Sequence, residues 1–179
     1  MACTWLANAR SRRVQPEPPL PVPPKYSLVE RERRWLAAQL PPLPTTYRRI
    51  EDRYIIGTRL RLRRITDSES GAVQHKLTRK YESDDATARP IVTAYLDAGE
   101  HAVVAALPAH CISKRRYRLA PFSVDLFDGP LAGLILVESE QPDAKALAAL
   151  PLPDWLGADV TENPCYQGGH LAAHGLPET

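Results

Sequence analysis

The chain has 179 residues, of which 44% are hydrophobic and 25% are charged, and its formal net charge is +2. This size and composition predict one folded domain, and the small net charge does not indicate a nucleic-acid or membrane-surface partner. Cys3, Cys111 and Cys165 are widely spaced and form no CxxC pair, which argues against a disulfide framework or a thiolate zinc site. This cysteine pattern fits a protein of the reducing cytoplasm. Because no apolar run is long enough to span a membrane, we expect no membrane partner.

The first 24 residues are predicted to form a disordered tail. Their last part, VQPEPPLPVPP, contains too many prolines to supply the hydrogen-bond donors of a helix or sheet. We therefore expect the folded domain to occupy residues 25–179.

After the tail, the chain reads mostly as strands with charged residues at every second position. Residues two apart in a strand point to the same face. Like charges follow this spacing in five segments, at Glu30 and Glu32, Arg59 to Arg63, Lys76 and Lys80, Lys114 to Arg118, and Glu138 and Glu140. The intervening residues Leu60 and Leu62 are expected to pack outward beneath helices.

Helices are predicted at residues 99–107 and 143–150, where alanine and leucine dominate and β-branched residues are few. A shorter helix is expected around residues 170–173. Strands combined with a few helices in this way indicate an α+β fold.

The signs of the strand charges are segregated. A single alternating strand is most simply read as having one solvated face, but solvated faces usually mix charges of both signs. Here arginine and lysine dominate three strands, while glutamates are paired on two others. If the sheet closes with these faces inward, their repulsion must be offset by counter-charges or bound ions. This pattern predicts a closed barrel with a charged lumen that binds a ligand.

The residue types indicate which ligand such a lumen would bind. Arginine and lysine match phosphate oxygens, whereas glutamates at positions i and i+2 suit a hard cation such as Mg²⁺ or Mn²⁺. Nucleic acid would require an exposed basic face with interleaved aromatic residues, and the aromatic content is only 7%. We therefore expect a polyphosphate with a divalent metal, and no sequence-specific nucleic-acid partner.

The strand motifs, taken in order, resemble those of the CYTH, or triphosphate tunnel metalloenzyme, superfamily. VERERRW is similar to its ExExK signature through Glu30 and Glu32, with Arg34 at the usual lysine. RLRLRRI is similar to the RxR strand, and KLTRKY to the LTxK strand. The matching basic residues of these two strands are Arg61, Arg63 and Lys80.

The resemblance continues through the second half of the chain. ISKRRYRL is similar to the family's KxRY strand through Lys114 and Arg116, and FSVDLFDG matches its WxVDxF strand through Asp125. LILVESE is similar to the late ExE strand through Glu138 and Glu140. WLGADVTENPCY resembles the closing segment, with Asp159 at the usual glutamate.

This resemblance implies an eight-stranded antiparallel β-barrel, or tunnel, with a charged lumen and flanking helices. It implies metal-dependent hydrolysis of a small triphosphate, either inorganic tripolyphosphate or an organic triphosphate. The phosphate-binding residues would be Arg34, Arg61, Arg63, Lys80, Lys114 and Arg116. The Mg²⁺ or Mn²⁺ ligands would be Glu30, Glu32, Glu138 and Glu140, and the catalytic residues Glu30, Glu32 and Asp125. The number of metal ions and a homodimeric state are left open.

One departure from the family pattern keeps two alternatives open. Family members commonly carry another acidic pair on the strand before the first long helix, where this chain has Thr93 and Tyr95. The chain could therefore be a non-catalytic polyphosphate-binding module. Cyclisation of ATP, as in the class IV adenylate cyclases, would use the same tunnel and is not separated from hydrolysis by motif.

Overall fold

The computed structural model describes residues 24–177. Residues 1–23 and the last two residues lie outside this range. The disordered tail expected over residues 1–24, and the domain limits of 25 and 179, therefore stay predictions.

Strands make up most of the described chain, and three α-helices lie between or after them. The strands are β1 (Leu28–Ala37), β2 (Arg48–Ile55), β3 (Leu60–Asp67), β4 (Val73–Lys80), β5 (Ala88–Leu96), β6 (Ala109–Leu119), β7 (Phe122–Phe127), β8 (Ile135–Glu140) and β9 (Leu156–Asp159). The helices are α1 (Ala98–Ala105), α2 (Ala144–Ala148) and α3 (Gly168–His174). The three predicted helices are thus confirmed, with ends that differ by a few residues.

The strands form one antiparallel sheet that closes on itself. Their order is β5-β4-β3-β2-β6-β7-β8-β1, and the first half of β1 pairs with β5, which completes the ring. The second half of β1 pairs with the short strand β9, which is an addition to the eight-stranded barrel. The predicted α+β fold, an eight-stranded antiparallel β-barrel with flanking helices, is confirmed.

Apolar side chains pack against the outside and one end of the barrel. One buried cluster contains Trp35, Phe122 and Val137 and extends to Leu147 of α2. A second cluster includes Phe127 and Leu171 and joins α3 to the barrel. Burial of these side chains from water supplies most of the driving force that holds the helices on the sheet.

The alternation in β3 orients its side chains largely as predicted. Arg61 and Arg63 line the cavity inside the barrel, whereas Leu62 on the opposite face is 0% exposed. On the outside, α1 contacts β3, β4 and β5. Leu60 begins β3 and also borders the cavity opening, and its predicted outward packing stays a prediction.

Within residues 24–177, no helix has the length and apolar character needed to cross a membrane.

Candidate functional site

The barrel holds a cavity of about 1220 Å³ whose lining includes many charged side chains. Its lining includes every site residue predicted from the sequence except Asp125, namely Glu30, Glu32, Arg34, Arg61, Arg63, Lys80, Lys114, Arg116, Glu138 and Glu140. Further basic lining residues are Arg48, Arg59, Arg89 and Arg118. Residues that are far apart in sequence thus meet in one space because the sheet closes.

Asp125 lies beneath the cavity surface and is 0% exposed. It accepts hydrogen bonds from Lys114 and, in a bidentate arrangement at 2.6 and 2.5 Å, from Arg116. Two parallel hydrogen bonds from one guanidinium restrict its orientation as well as its position. Asp125 therefore fixes the positions of Lys114 and Arg116 of β6 from beneath the cavity surface.

Glu138 extends this network along the lumenal wall from β6 to β1. It accepts a hydrogen bond from Arg116 and another, at 3.2 Å, from Nε of Arg34. Arg34 also bonds to Glu32, which lies 3.2 Å from Nζ of Lys80. The network thus connects side chains of β1, β4, β6, β7 and β8.

The basic residues control the ionisation of the lumenal glutamates. Burial alone would raise the pKa of Glu138, but Arg116, Lys114 and Arg34 outweigh it and hold the pKa well below its ordinary value. The pKa of Glu32 is likewise lowered, because Arg34 and Lys80 overcome the effect of burial. Both carboxylates are therefore anionic at neutral pH.

Asp52 of β2 is a lumenal residue that the sequence analysis missed. It is 1% exposed, and its carboxylate accepts two hydrogen bonds from Arg63, at 2.6 and 2.7 Å. Nε of Arg61 lies 4.0 Å from the same carboxylate. The segment RRIEDRYI carries charges on both faces, so it lacked the single-sign alternation that identified the other strands.

A signal for Asp52 was nevertheless present. The short turn around Gly57 joins β2 and β3, and a hairpin of this kind sets the register of its strands. That register brings Asp52 opposite Arg63 and Tyr54 opposite Arg61. Because Arg61 and Arg63 were predicted to face the lumen, this register would have predicted that Asp52 and Tyr54 face it too.

The two residues that depart from the family pattern supply no carboxylate. The hydroxyl of Thr93 lies 3.0 Å from that of Thr78 and makes a hydrogen bond with it. Tyr95 is 66% exposed, and Nζ of Lys76 lies 5.1 Å from the centre of its ring. Lys76, although it continues the β4 alternation, does not line the cavity.

The lumenal carboxylates fit a hard divalent cation in donor type, but they are not gathered into a ready-made cage. Within residues 24–177, no three histidine, cysteine, aspartate or glutamate side chains are grouped closely enough to hold a metal. Glu140 makes no ion pair in this part of the chain, and its pKa is raised by burial and then by Glu30 and Glu32. A cation would relieve that mutual repulsion, provided that the glutamates turn away from their basic partners.

Comparison with known proteins supports the same architecture. A structure of the inorganic triphosphatase NE1496 matches with a TM-score of 0.52 and 24% identity, over 80% of this chain and 93% of that chain. A second NE1496 structure, described as a hypothetical protein, matches with a TM-score of 0.53 and 26% identity, over 80% and 97%. No protein-family model and no curated protein matches the chain.

A closed antiparallel barrel with charged side chains directed inward defines the tunnel class of folds. The chain has the fold of the CYTH, or triphosphate tunnel, superfamily, and the resemblance of its strand motifs is thereby confirmed.

Proposed function

We propose that the chain is a metal-dependent triphosphatase that hydrolyses a small triphosphate, inorganic or organic, within its lumen. One observation carries this proposal. Six basic side chains from four strands converge on one cavity, and these are Arg34, Arg61, Arg63, Lys80, Lys114 and Arg116. Such a concentration of cations inside a barrel matches the charge of a phosphate chain.

The likeness to NE1496 supports the proposal at the level of the superfamily. That protein is an inorganic triphosphatase, and the alignment covers nearly all of it. At 24% identity, the comparison bears on the fold and leaves the substrate of this chain to be tested.

The basic residues would stabilise the charge on the phosphoryl oxygens during transfer. Catalysis of phosphoryl transfer rests largely on positioning and on electrostatic stabilisation of these oxygens. Because Asp125 fixes Arg116 through two hydrogen bonds, that guanidinium would be oriented before the substrate arrives. Lys114, held by the same carboxylate, would act beside it as a point charge.

The glutamates would serve the metal and the attacking water. The Mg²⁺ or Mn²⁺ ligands would be Glu30, Glu32, Glu138 and Glu140, and the bound ion would neutralise phosphate charge and acidify water. Glu30 and Glu32 would accept hydrogen bonds from the water that attacks the terminal phosphorus in line with the leaving oxygen.

A specific observation favours a second candidate, a non-catalytic polyphosphate-binding module. The positions at which relatives commonly carry an acidic pair hold Thr93 and Tyr95, and the hydroxyl of Thr93 is bonded to Thr78. This candidate keeps the basic lumen but lacks turnover.

Phosphate binding is tested with Arg61→Ala. The matched control is Arg64→Ala, which removes an arginine from the outer face of the same strand. Arg64 is half-exposed and pairs with Glu51 outside the cavity. A charge-assisted contact with phosphate is worth about 1.5 to 3 kcal/mol, so Arg61→Ala should weaken tripolyphosphate binding by roughly tenfold or more. Arg64→Ala should leave it unchanged. Calorimetric titration without metal measures both.

Turnover is tested with Glu138→Gln, with Glu51→Gln as the outer-face control. Glutamine keeps the shape but removes one carboxylate charge beside Arg34 and Arg116. Metal-dependent phosphate release should therefore be lost while metal-free anion affinity is kept or increased. The substrates are tripolyphosphate, thiamine triphosphate and nucleoside triphosphates, each with Mg²⁺ or Mn²⁺. Phosphate and cyclic nucleotide are both measured. Tight binding by wild type without either product from any of them would refute hydrolysis and leave the binding module.

A further inference from the structure

Tyr54 lies inside the lumen at the end of the barrel where α3 packs. It lines the cavity and rests against the apolar cluster that contains Leu171 of α3. Arg61 is directly opposite Tyr54 across the β2–β3 pair and lines the same space. The phenol and the guanidinium are thus neighbours on one wall.

Both side chains retain unused hydrogen-bonding capacity. The hydroxyl of Tyr54 makes no hydrogen bond to any residue between 24 and 177, which is unusual for a tyrosine in a confined site. Nε of Arg61 is buried and has no hydrogen-bond acceptor in the described part of the chain, and it lies 4.0 Å from the carboxylate of Asp52. Two donors that find no acceptor among residues 24–177 indicate a place where a ligand supplies one.

The backbone of α3 is shaped around the Tyr54 hydroxyl. A side-chain carbon added to Gly168 would lie 2.0 Å from that oxygen and 2.9 Å from the ring carbon that bears it. The same carbon on the next residue, Gly169, would lie 3.4 Å from the ring, an ordinary contact. The preceding Gln167 accepts a hydrogen bond of 3.1 Å from Arg89 of β5, which fixes where α3 begins.

We propose that Tyr54 and Arg61 form a subsite for the phosphate group that lies at the α3 end of the lumen. Glycine at position 168 leaves the phenol in this place, whereas a side-chain carbon there would displace it. The subsite rests on the proposed function, since it assumes that a phosphate chain occupies the lumen. Tyr54 contributes a neutral hydrogen-bond donor, and burial raises the pKa of its phenol to about 12, so the donor keeps its proton at neutral pH.

Packing alone is the competing explanation for Tyr54. In that case only the ring would matter, and the hydroxyl could be removed without any effect on phosphate binding. Tyr54→Phe separates the two because it keeps the ring against the α3 cluster. Tyr117→Phe is the matched control, since Tyr117 is a buried core tyrosine that does not line the cavity.

Metal-free calorimetry with tripolyphosphate tests the hydroxyl. Tyr54→Phe should weaken binding about tenfold, the effect of one hydrogen bond to a charged acceptor, and Tyr117→Phe should not weaken it. If wild type binds tripolyphosphate and Tyr54→Phe binds it equally well, the subsite is refuted while the proposed function stands. If wild type binds neither tripolyphosphate nor thiamine triphosphate nor a nucleoside triphosphate, both the subsite and the proposed function are refuted.

Gly168→Ala and Gly169→Ala test the requirement for glycine with the same change at adjacent positions of one helix. Gly168→Ala forces the phenol to move and should weaken tripolyphosphate binding at least as much as Tyr54→Phe. Gly169→Ala should bind like wild type. Equal affinities for the two alanine variants, with both folded by circular dichroism, would overturn the role of Gly168.

Discussion

At the residue scale, the carboxylate of Asp52 is the most deeply buried charge that the sequence analysis did not anticipate. Burial alone would raise its pKa, but Arg63 outweighs this and lowers the pKa to about 2. Asp52→Asn would leave the guanidinium of Arg63 in a confined site without its counter-charge. We expect the free energy of unfolding at neutral pH to fall by about 2 kcal/mol or more, as measured by urea denaturation.

The acid dependence of that loss follows from the direction of the shift. The folded pKa of Asp52 is lower than its usual value of 3.8, so the unfolded state binds the proton more tightly. The stabilisation is therefore complete above about pH 4 and declines as the pH falls towards about 2. The stability difference between wild type and Asp52→Asn should shrink over this window. Glu51→Gln, on the exposed face of the same strand, should change stability by less than about 0.5 kcal/mol.

At the scale of single elements, α1 depends on its cap rather than on burial. None of its residues is buried. Its N-terminus is closed by a capping box, in which Asp97 accepts from the backbone N–H of Glu100 at 2.8 Å and Glu100 accepts from that of Asp97 at 2.9 Å. A helix with little buried surface has few other interactions to keep it folded.

We therefore expect Asp97→Ala to open α1 locally. The loss of a cap typically costs about 1 kcal/mol, which corresponds to amide exchange roughly five times faster in residues 98–106. Exchange in the barrel strands should not change. Asp84→Ala is the control, because Asp84 is exposed in the loop between β4 and β5 and makes no hydrogen bond within the described residues. Unaltered exchange in α1 of Asp97→Ala would contradict a role for the cap.

The elements also differ in how far they could be predicted from sequence. Strands β1, β3, β4, β6 and β8 carry like charges on one face, and this alternation predicted many of the side chains that line the lumen, although not the position of Lys76. Strand β2 has Glu51 and Asp52 on opposite faces, so its charges gave no such indication. The ion-pair partners could not be predicted either, because the contact between Lys80 and Glu30 depends on a closure that joins β1 to β5.

At the scale of the whole molecule, closure of the barrel makes the lumen depend on strands that are distant in sequence. In the described part of the chain, Arg34, Lys80 and Arg116 pair with lumenal glutamates. A phosphate chain would replace these carboxylates as the partner of the basic residues. The carboxylates would then be free to bind a divalent metal. Ligand binding should therefore stabilise the barrel as a unit.

Tripolyphosphate should consequently raise the melting temperature of the full chain. A ligand that binds only the folded state adds about 2.7 kcal/mol at a concentration 100 times its Kd, which is roughly 5 to 10 °C for a domain of this size. Because the ligand would contact β1, β3, β4 and β6 together, the transition should stay single while it moves to higher temperature. Differential scanning calorimetry with sodium chloride at matched ionic strength separates specific binding from screening. An equal shift with sodium chloride would mean that the lumen does not bind the phosphate chain, whereas a smaller shift for Arg61→Ala than for Arg64→Ala would locate the effect inside the barrel.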